Sequence, residues 1–301
     1  MILITGATGF IGKYLVRQLL NKKEEVVCFV RATENGSFLK QLGAKIIYGD
    51  ITSKNSVEQA FEFFPNISEI IHLAALIKST DPKEYQQMNV VGTKNVVEVA
   101  QEHNIKKIMF LSTDFVIYPG SNPYRDTKLE AENILKASSL NYTVLRPTPV
   151  YGVGDDKNFD SVFALVKKYP IIPAITCVMQ PVHVEDVVSA IIKCLRSPKT
   201  VRREYNLPGG SVVSFAQILK LIAKHMRKRR LISTLPNWIL LPALWVYEKI
   251  IPHPMVRYYQ VHKWTINRIL SFEDLKKDIQ YKPRTFEKGM LQTMKESGIS
   301  A

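Results

Sequence analysis

The chain has 301 residues, enough for one large α/β domain with a smaller lobe or for two domains. Its 46% hydrophobic and 23% charged residues are ordinary for a soluble globular protein, and no low-complexity tract or internal repeat interrupts them. The formal net charge of +14 is uneven: between Lys220 and Arg268 ten basic residues face one acid, Glu248, a local charge of +9.

Taken in chain order, "MILIT" (1–5) reads as a strand and "FIGKYLVRQLLNK" (10–22) as a helix with Ile11, Leu15, Leu19 and Leu20 on one face. "EVVCFV" (25–30) and "KIIYGD" (45–50) are strands, "VEQAFEFF" (57–64) a helix and "EIIHLAA" (69–75) a strand. "NVVGTKNVVEVAQEH" (89–103) is helical and "KIMFLST" (107–113) a strand. "NPYRDTKLEAENILKAS" (122–138) is a helix with Pro123 in its first turn, and "YTVLRP" (142–147) is a strand. Short apolar strands alternating with amphipathic helices imply βαβ units. The expected fold is α/β, a doubly wound Rossmann sheet in the order 3-2-1-4-5-6, with ligands above the strand ends at the switch point.

After Pro147 the regularity falls. "VHVEDVVSAIIKCL" (182–195) returns as a helix, "REYNLPGG" (203–210) as a strand ending in a turn, and "SFAQILKLIAKHM" (214–226) as a helix capped by Ser214. The rest reads as a mostly helical lobe. The expected division is a nucleotide-binding domain over 1–150, with 176–207 returning to it, and a smaller substrate lobe over 151–301. Cys28, Cys177 and Cys194 are scattered, with neither a disulfide framework nor metal-ligand spacing. A reducing, cytoplasmic setting fits, and "MILITG" runs into a strand with no signal-peptide pattern.

"TGATGFIG" sets Gly6, Gly9 and Gly12 between a strand and a helix, the context that gives a glycine triplet its meaning. Gly6 permits the tight turn, Gly9 lets backbone approach a pyrophosphate, and Gly12 lets helix pack on strand. The turn and helix start, including Thr8, Phe10 and Ile11, form the expected phosphate cradle, with free N–H groups and partial positive charge. An acid at the end of the second strand would hold the ribose 2′-hydroxyl of NAD. "CFVRAT" has none there, and Arg31 just past it suits a 2′-phosphate, so NADP is the expected cofactor, with NAD the alternative.

Tyr124 and Lys128 stand at i and i+4 on one helix face. A tyrosine ionises near pH ~10, and a neighbouring ammonium favours the phenolate, which allows proton exchange nearer neutrality. Thr113, at the end of the fifth strand, is the candidate to hydrogen-bond a substrate oxygen; Ser112 points the other way. The ten residues between Thr113 and Tyr124 can extend roughly 33 Å, so both ends reach one site.

With these motifs in place the chain resembles the extended short-chain dehydrogenase/reductase superfamily, the branch of nucleotide-sugar epimerases, dehydratases and reductases and 3β-hydroxysteroid dehydrogenases. The resemblance also takes in "GDIT" (49–52), "HLAA" (72–75), "NVVGTKNV" (89–96), "STD" (112–114), "LRPTPVYGVGD" (145–155), "PVHVEDV" (181–187) and, more weakly, "DIQYKPRTFEKG" (278–289). It implies that Asp50 and Ile51 contact adenine, that Leu73, Ala74 and Ala75 line the cofactor, and that Pro147 and Val150 border the nicotinamide. Thr113, Tyr124 and Lys128 become the catalytic trio, Lys128 also holding the nicotinamide ribose. Dehydratases of the superfamily carry glutamate where this chain has Phe115, which argues against sugar dehydration. His72 and His183 read as structural.

The expected function is an NADP-dependent oxidoreductase interconverting a secondary alcohol and a ketone, with a 4-keto nucleotide sugar as leading substrate because a basic lobe suits a diphosphate. The alternatives are a 3β-hydroxysteroid-dehydrogenase-like enzyme on an apolar alcohol, a nucleotide-sugar epimerase, and a nucleotide-binding assembly subunit without catalysis. The basic segment fits a solvated face, an anionic substrate or an anionic membrane surface, and no motif supports nucleic acid. The apolar run "LPNWILLPALWVYEKIIPHP" (235–254) is too short to span a bilayer and reads as a helix over the pocket, a peripheral membrane contact or a homodimer interface.

Overall fold

Runs of valine and isoleucine bounded by glycine and polar turns make the strands, and amphipathic segments between them make the helices. The computed structural model describes residues 1–155, 159–251, 258, 261 and 265–299. Arg257 and Lys263 of the basic segment, and residues 252–254 of the apolar run, lie outside these.

The first half alternates β1 (Ile2–Thr5), α1 (Phe10–Asn21), β2 (Val26–Val30), α2 (Ser37–Gln41), β3 (Lys45–Tyr48), α3 (Lys54–Phe63) and β4 (Glu69–His72). A short α4 (Pro82–Tyr85) runs through a π-helical turn, Gln86–Val91, into α5 (Gly92–Glu102). Then come β5 (Lys107–Leu111), a 3₁₀ turn at Asp114–Ile117, α6 (Pro123–Ala137) and β6 (Tyr142–Pro147). Further along are β7 (Val150–Tyr151), α7 (Asp160–Lys168), β8 (Ile171–Ile175), β9 (Val178–Met179), β10 (Val182–His183), α8 (Val184–Arg196) and β11 (Arg203–Leu207). The chain continues with β12 (Val213–Ser214), α9 (Phe215–His225), β13 (Leu231–Leu235), α10 (Asn237–Ile250), α11 (Glu273–Ile279) and α12 (Phe286–Glu296).

Seven strands form one sheet in the order β11-β6-β5-β4-β1-β2-β3, every pair parallel. This is the doubly wound order expected from the alternation, with β11 added beyond β6. Central strands covered on both faces must be apolar on both faces: all of β1 and β2 is buried, whereas the edge strand β3 keeps Lys45 and Tyr48 exposed. Leu3, Val27, Ile70, Val96, Ile108 and Leu135 belong to one core cluster. Each such side chain contributes about 1.5–3 kcal/mol on burial.

The chain divides into two compact units. The first is Met1–Pro147, Val187–Leu207 and Phe272–Tyr281; the second is Thr148–Asp186, Pro208–Ser271 and Lys282–Ala301. The return to the first unit thus starts inside α8, later than residue 176, because β8, β9 and β10 pair with β13, β12 and β7 of the second unit. In the first unit α11 packs beside β11, where Tyr205 donates to Asp278 (2.6 Å).

In the second unit Tyr151, Phe159, Ile172, Ile218, Leu219 and Phe286 form a separate core. Two motifs of the resemblance meet there. Arg284 of the C-terminal signature donates to both oxygens of Asp186 (3.0 and 3.1 Å) and to Glu185 (2.8 Å), closing the start of α8. Gly289 leaves room for Tyr151, since a Cβ would stand 2.1 Å from the Tyr151 hydroxyl oxygen. His183 is buried, accepts from the Glu185 N–H through Nδ1 (3.3 Å) and stacks edge-on with Tyr151, a structural role.

Candidate active site

The glycine turn is shaped by two demands. Gly6 has φ +72°, and a Cβ there would stand 2.7 Å from the Ala74 nitrogen; a Cβ on Gly12 would stand 2.3 Å from the Gly6 carbonyl oxygen. Both glycines are required by the chain's own packing. Gly9 is different. Its backbone is extended (φ −70°), and a Cβ would meet only the Gly6 carbonyl oxygen, at 3.3 Å. It is the N-cap of α1, which has no side-chain cap and no acid in its first turn. The open N–H groups and the helix dipole therefore face a surface that an anion can approach closely.

Beside this turn, Thr8 donates to Glu34, and Arg31 donates to Glu34 through Nε (2.9 Å) and through a terminal nitrogen. An acid does reach the glycine turn, from four residues past the end of β2, where the reading of "CFVRAT" placed none. The turn after β2 folds back on itself (Glu34 N–H to the Arg31 carbonyl, 2.9 Å), so sequence distance from the strand end hid the carboxylate.

The loop after β4 is held by a buried polar network. Thr93 donates to the Asn89 carbonyl (2.6 Å) and so receives the proton of His72 Nε2 (3.0 Å), which leaves His72 Nδ1 to accept from Thr5 (2.6 Å). Thr5 in turn accepts from the Ala74 N–H (3.3 Å). Burial, with a smaller push from the Lys128 charge, lowers the His72 pKa to about 3, so the ring is neutral. Asn89 accepts from the Leu76 N–H (2.7 Å) and donates to the Leu76 carbonyl and to Thr127 (3.1 Å each). The 73–76 loop and α6 are thereby fixed to one side chain. Nothing in the sequence reading singled out Asn89 or Thr93, although "NVVGTKNV" contains both; an asparagine and a threonine four apart at a helix start were the available signal.

Thr113 and Tyr124 meet. The Thr113 hydroxyl lies close enough to the Tyr124 phenol to pull its pKa down. Two caps make this possible: Thr113 accepts from the Phe115 N–H (3.4 Å) to start the 3₁₀ turn, and Asn122 accepts from the Arg125 N–H (2.9 Å) to start α6. Phe115 stands edge-on to Tyr124 with ring centroids 6.4 Å apart. Burial pushes the Tyr124 pKa well above that of a free tyrosine; the nearby Thr113 hydroxyl pulls it down, and Asp114 and Tyr85 push it up. Ser112, as expected, does not join Thr113, and its buried hydroxyl has no partner among the described residues.

Lys128 is brought to the same helix face but engages other groups. Its Nζ donates to the Leu111 carbonyl (2.8 Å) and lies 3.9 Å from the centre of the Phe110 ring. Burial lowers its pKa to about 7, against an upward pull from Glu132. The expected activation of Tyr124 by the Lys128 ammonium is not what dominates here: burial does, and it favours the neutral phenol. Unfolded lysine keeps its proton up to about 10.5, so burial of Lys128 opposes folding fully below pH 7 and ever less as pH rises from 7 to 10.5.

Of the remaining candidates, Asp50 is exposed and accepts from the Thr52 N–H (2.9 Å). The Ile51 side chain is turned into the core against Gly92, so only its backbone is left for an adenine contact. Leu73, Ala74 and Ala75 are half-buried just past β4, and Pro147 ends β6. Val150 lies in the second unit, paired in β7 with Val182.

The profile of the NAD dependent epimerase/dehydratase family matches residues 2–207, more than half of the chain. The chain belongs to this family. It lies within the extended short-chain dehydrogenase/reductase superfamily, as the motifs suggested. A UDP-glucose 4-epimerase of Vibrio cholerae is 28% identical over 82% of this chain and 80% of its own length. The photosystem II assembly factor Ycf39 of Synechocystis is 26% identical over 79% of this chain and 72% of its own. Among solved structures, the Bordetella bronchiseptica enzyme WbmG in complex with NAD has a TM-score of 0.81 at 18% identity, covering 99% of this chain and 95% of that one. The family fold binds NAD, and the residues here fit such a cofactor. A bare Gly9 before a helix with no side-chain cap leaves the N–H groups and the space that a pyrophosphate needs. Among the described residues no helix is long and apolar enough to cross a membrane.

Proposed function

We propose that the protein is an NADP-dependent oxidoreductase that interconverts a secondary alcohol and a ketone, working as a ketone reductase. The observation that carries this reading is the buried Tyr124 phenol beside Thr113, on the helix face that also carries Lys128, in a site whose burial keeps the phenol protonated. A bound nicotinamide supplies the hydride. Tyr124 holds a proton at its phenol oxygen and delivers it to the substrate oxygen, and Thr113 orients that oxygen. Lys128, an amine titrating near neutrality and fixed by the Leu111 carbonyl, holds a ribose hydroxyl and restores the proton. Gly6, Thr8, Gly9, Phe10, Ile11 and Gly12 cradle the pyrophosphate. Arg31 takes the 2′-phosphate, with Glu34 as its partner in the ligand-free chain.

The leading substrate is a 4-keto nucleotide sugar, supported by the likeness to a UDP-glucose 4-epimerase and by the basic stretch over 220–268. A second reading, an apolar alcohol, is favoured by the exposed apolar surface of α10. A ceramide reductase of Caulobacter vibrioides, 26% identical over 66% of this chain, points the same way. The deciding experiment is a screen of nucleotide sugars, hydroxysteroids and long-chain keto lipids with NADPH oxidation as the readout. Turnover of a nucleotide sugar without added cofactor would replace the reductase reading with an epimerase. No turnover of any substrate, with NADPH bound, would replace it with an assembly subunit.

A further inference from the structure

The second unit carries an arrangement that lies outside the Thr113, Tyr124 and Lys128 set. Helix α10, NWILLPALWVYEKI, is apolar on all faces, yet Leu240 is its only buried residue. Trp238 is 77% exposed and Ile250 69%, and Ile239, Trp245 and Val246 are exposed as well. A helix that is hydrophobic all round belongs in a core or in lipid. At 14 residues it is about 21 Å long at ~1.5 Å per residue, too short for a hydrocarbon layer of roughly 30 Å. Its single acid is turned to internal use: Glu248 accepts from the Tyr258 N–H (2.8 Å). Its lysine, Lys249, lies over the Trp245 ring at 5.7 Å.

The β8–β13 pair, to which α10 is joined, carries exposed apolar side chains of its own. Ile171 and Leu231, partners in register, are 62% and 63% exposed. Beside them two basic runs are drawn together. Arg230 donates to the carbonyls of Val166 (2.7 Å) and Lys167 (3.1 Å), which pins Arg227, Lys228 and Arg229 to the end of α7, where Lys167 and Lys168 lie. At the other end of the pair, Asn237 accepts from the Thr176 N–H (2.9 Å) and donates to its carbonyl (3.0 Å), which anchors α10 to β8. An apolar helix with exposed tryptophans, an exposed aliphatic pair and a cationic cluster therefore belong to one folded element set.

We infer that α10, with the Ile171–Leu231 pair and the Lys167–Lys168/Arg227–Arg229 cluster, is a docking surface for an anionic lipid bilayer. Tryptophan at the headgroup level, an in-plane apolar helix and flanking cations are what such a surface requires. A second copy of the chain is the poorer occupant. A two-fold interface through α10 would repeat the cationic cluster on both sides with no acidic counterpart, in a chain of net charge +14.

The test uses the full chain and phosphatidylcholine vesicles with and without phosphatidylglycerol, in flotation and in tryptophan emission. The protein should float with the anionic vesicles and shift its emission to the blue, and it should dissociate as salt rises. Trp238→Ser with Trp245→Ser should weaken binding at least roughly tenfold and remove the blue shift. Arg227→Ser with Lys228→Ser and Arg229→Ser should weaken binding about 100-fold while Arg230 keeps its structural bonds. Unchanged thermal midpoints would establish that both variants fold. Absence of binding to phosphatidylglycerol vesicles would overturn the inference, as would binding indifferent to both variants. So would a concentration-dependent dimer, abolished by the tryptophan pair, in a protein that ignores vesicles.

Discussion

Both compact units bury some polar side chains and expose some apolar ones, but each has one concentrated departure from the inside–outside rule, and the two differ in kind. The first buries polarity: His72, Thr93, Asn89, Lys128 and Glu132 all lie inside it. The second exposes apolar surface: Trp238, Trp245, Val246 and Ile250 face outward on a helix that buries only Leu240. Each departure costs stability, because a buried polar group must be hydrogen-bonded and an exposed apolar one gains nothing from folding. The inner departure is offset within the fold: His72, Thr93, Asn89 and Lys128 all have hydrogen-bond partners, and Glu132 receives Arg146 (2.9 Å). The outer one has no such compensation among the described residues, which is why it points to something outside the chain.

The comparison breaks most sharply at Tyr124. If the inner polarity serves chemistry, Tyr124→Phe should lower kcat by roughly 10³-fold and leave NADPH affinity within about twofold, measured by turnover and by fluorescence titration. Intact turnover would reduce the placing of Thr113 beside Tyr124 to a structural role.

Asn89→Ala comes next. It strands the Leu76 N–H and carbonyl and removes a donor from Thr127, and should cost about 2–3 kcal/mol in urea unfolding. It should also raise the KM for the cofactor, since the 73–76 loop loses its anchor. A loss of stability with an unchanged KM would separate the network from the site.

His72 gives the pH dependence. Its folded pKa of about 3 lies below the ordinary 6.5, so in between the unfolded chain binds a proton that the folded chain refuses. Stability must therefore fall as pH drops from 6.5 towards 3, by a few kcal/mol at most for this group. In His72→Gln the unfolding midpoint should change less between pH 7 and pH 4 than in the parent.

How much of this was legible depended on how local the cause was. The parallel sheet, its order, the glycine turn and the α6 boundaries rest on periodicity and caps within a few residues, and each is present as read. The Thr113–Tyr124 meeting was legible as reach, because ten residues suffice. What escaped the sequence depends on side chains that fold back or cross between elements. Glu34 returns to Thr8 from beyond β2, Asn89 joins a loop to α6, and Ile51 turns its side chain inward. Lys128 is the instructive case. The i, i+4 spacing placed it on the right face, but burial and the Leu111 carbonyl set its charge, and neither is visible in Y-x-x-x-K.

The Glu34–Arg31 pair converts one of these misses into a measurement of about tenfold. Glu34→Gln should free Arg31 and raise the NADPH-over-NADH ratio of kcat/KM by roughly that factor, while Arg31→Ala should lower it as much. Equal ratios in all three proteins would remove Arg31 from cofactor choice.

The smallest expected effect sharpens the outer side of the comparison. Trp238 and Trp245 are large aromatics, and in a core their loss would cost about 3–5 kcal/mol. On α10 they touch the groove formed with Leu241, Pro242 and Tyr258 and otherwise face outward. Trp238→Ser with Trp245→Ser should therefore move the unfolding free energy by less than about 1 kcal/mol in buffer, read by urea denaturation. With anionic vesicles present the parent should gain protection that the variant does not, because a surface that binds only the folded chain stabilises it by mass action. A loss of several kcal/mol in buffer would mean that these tryptophans already have a partner within the chain, and the contrast between the units would then vanish.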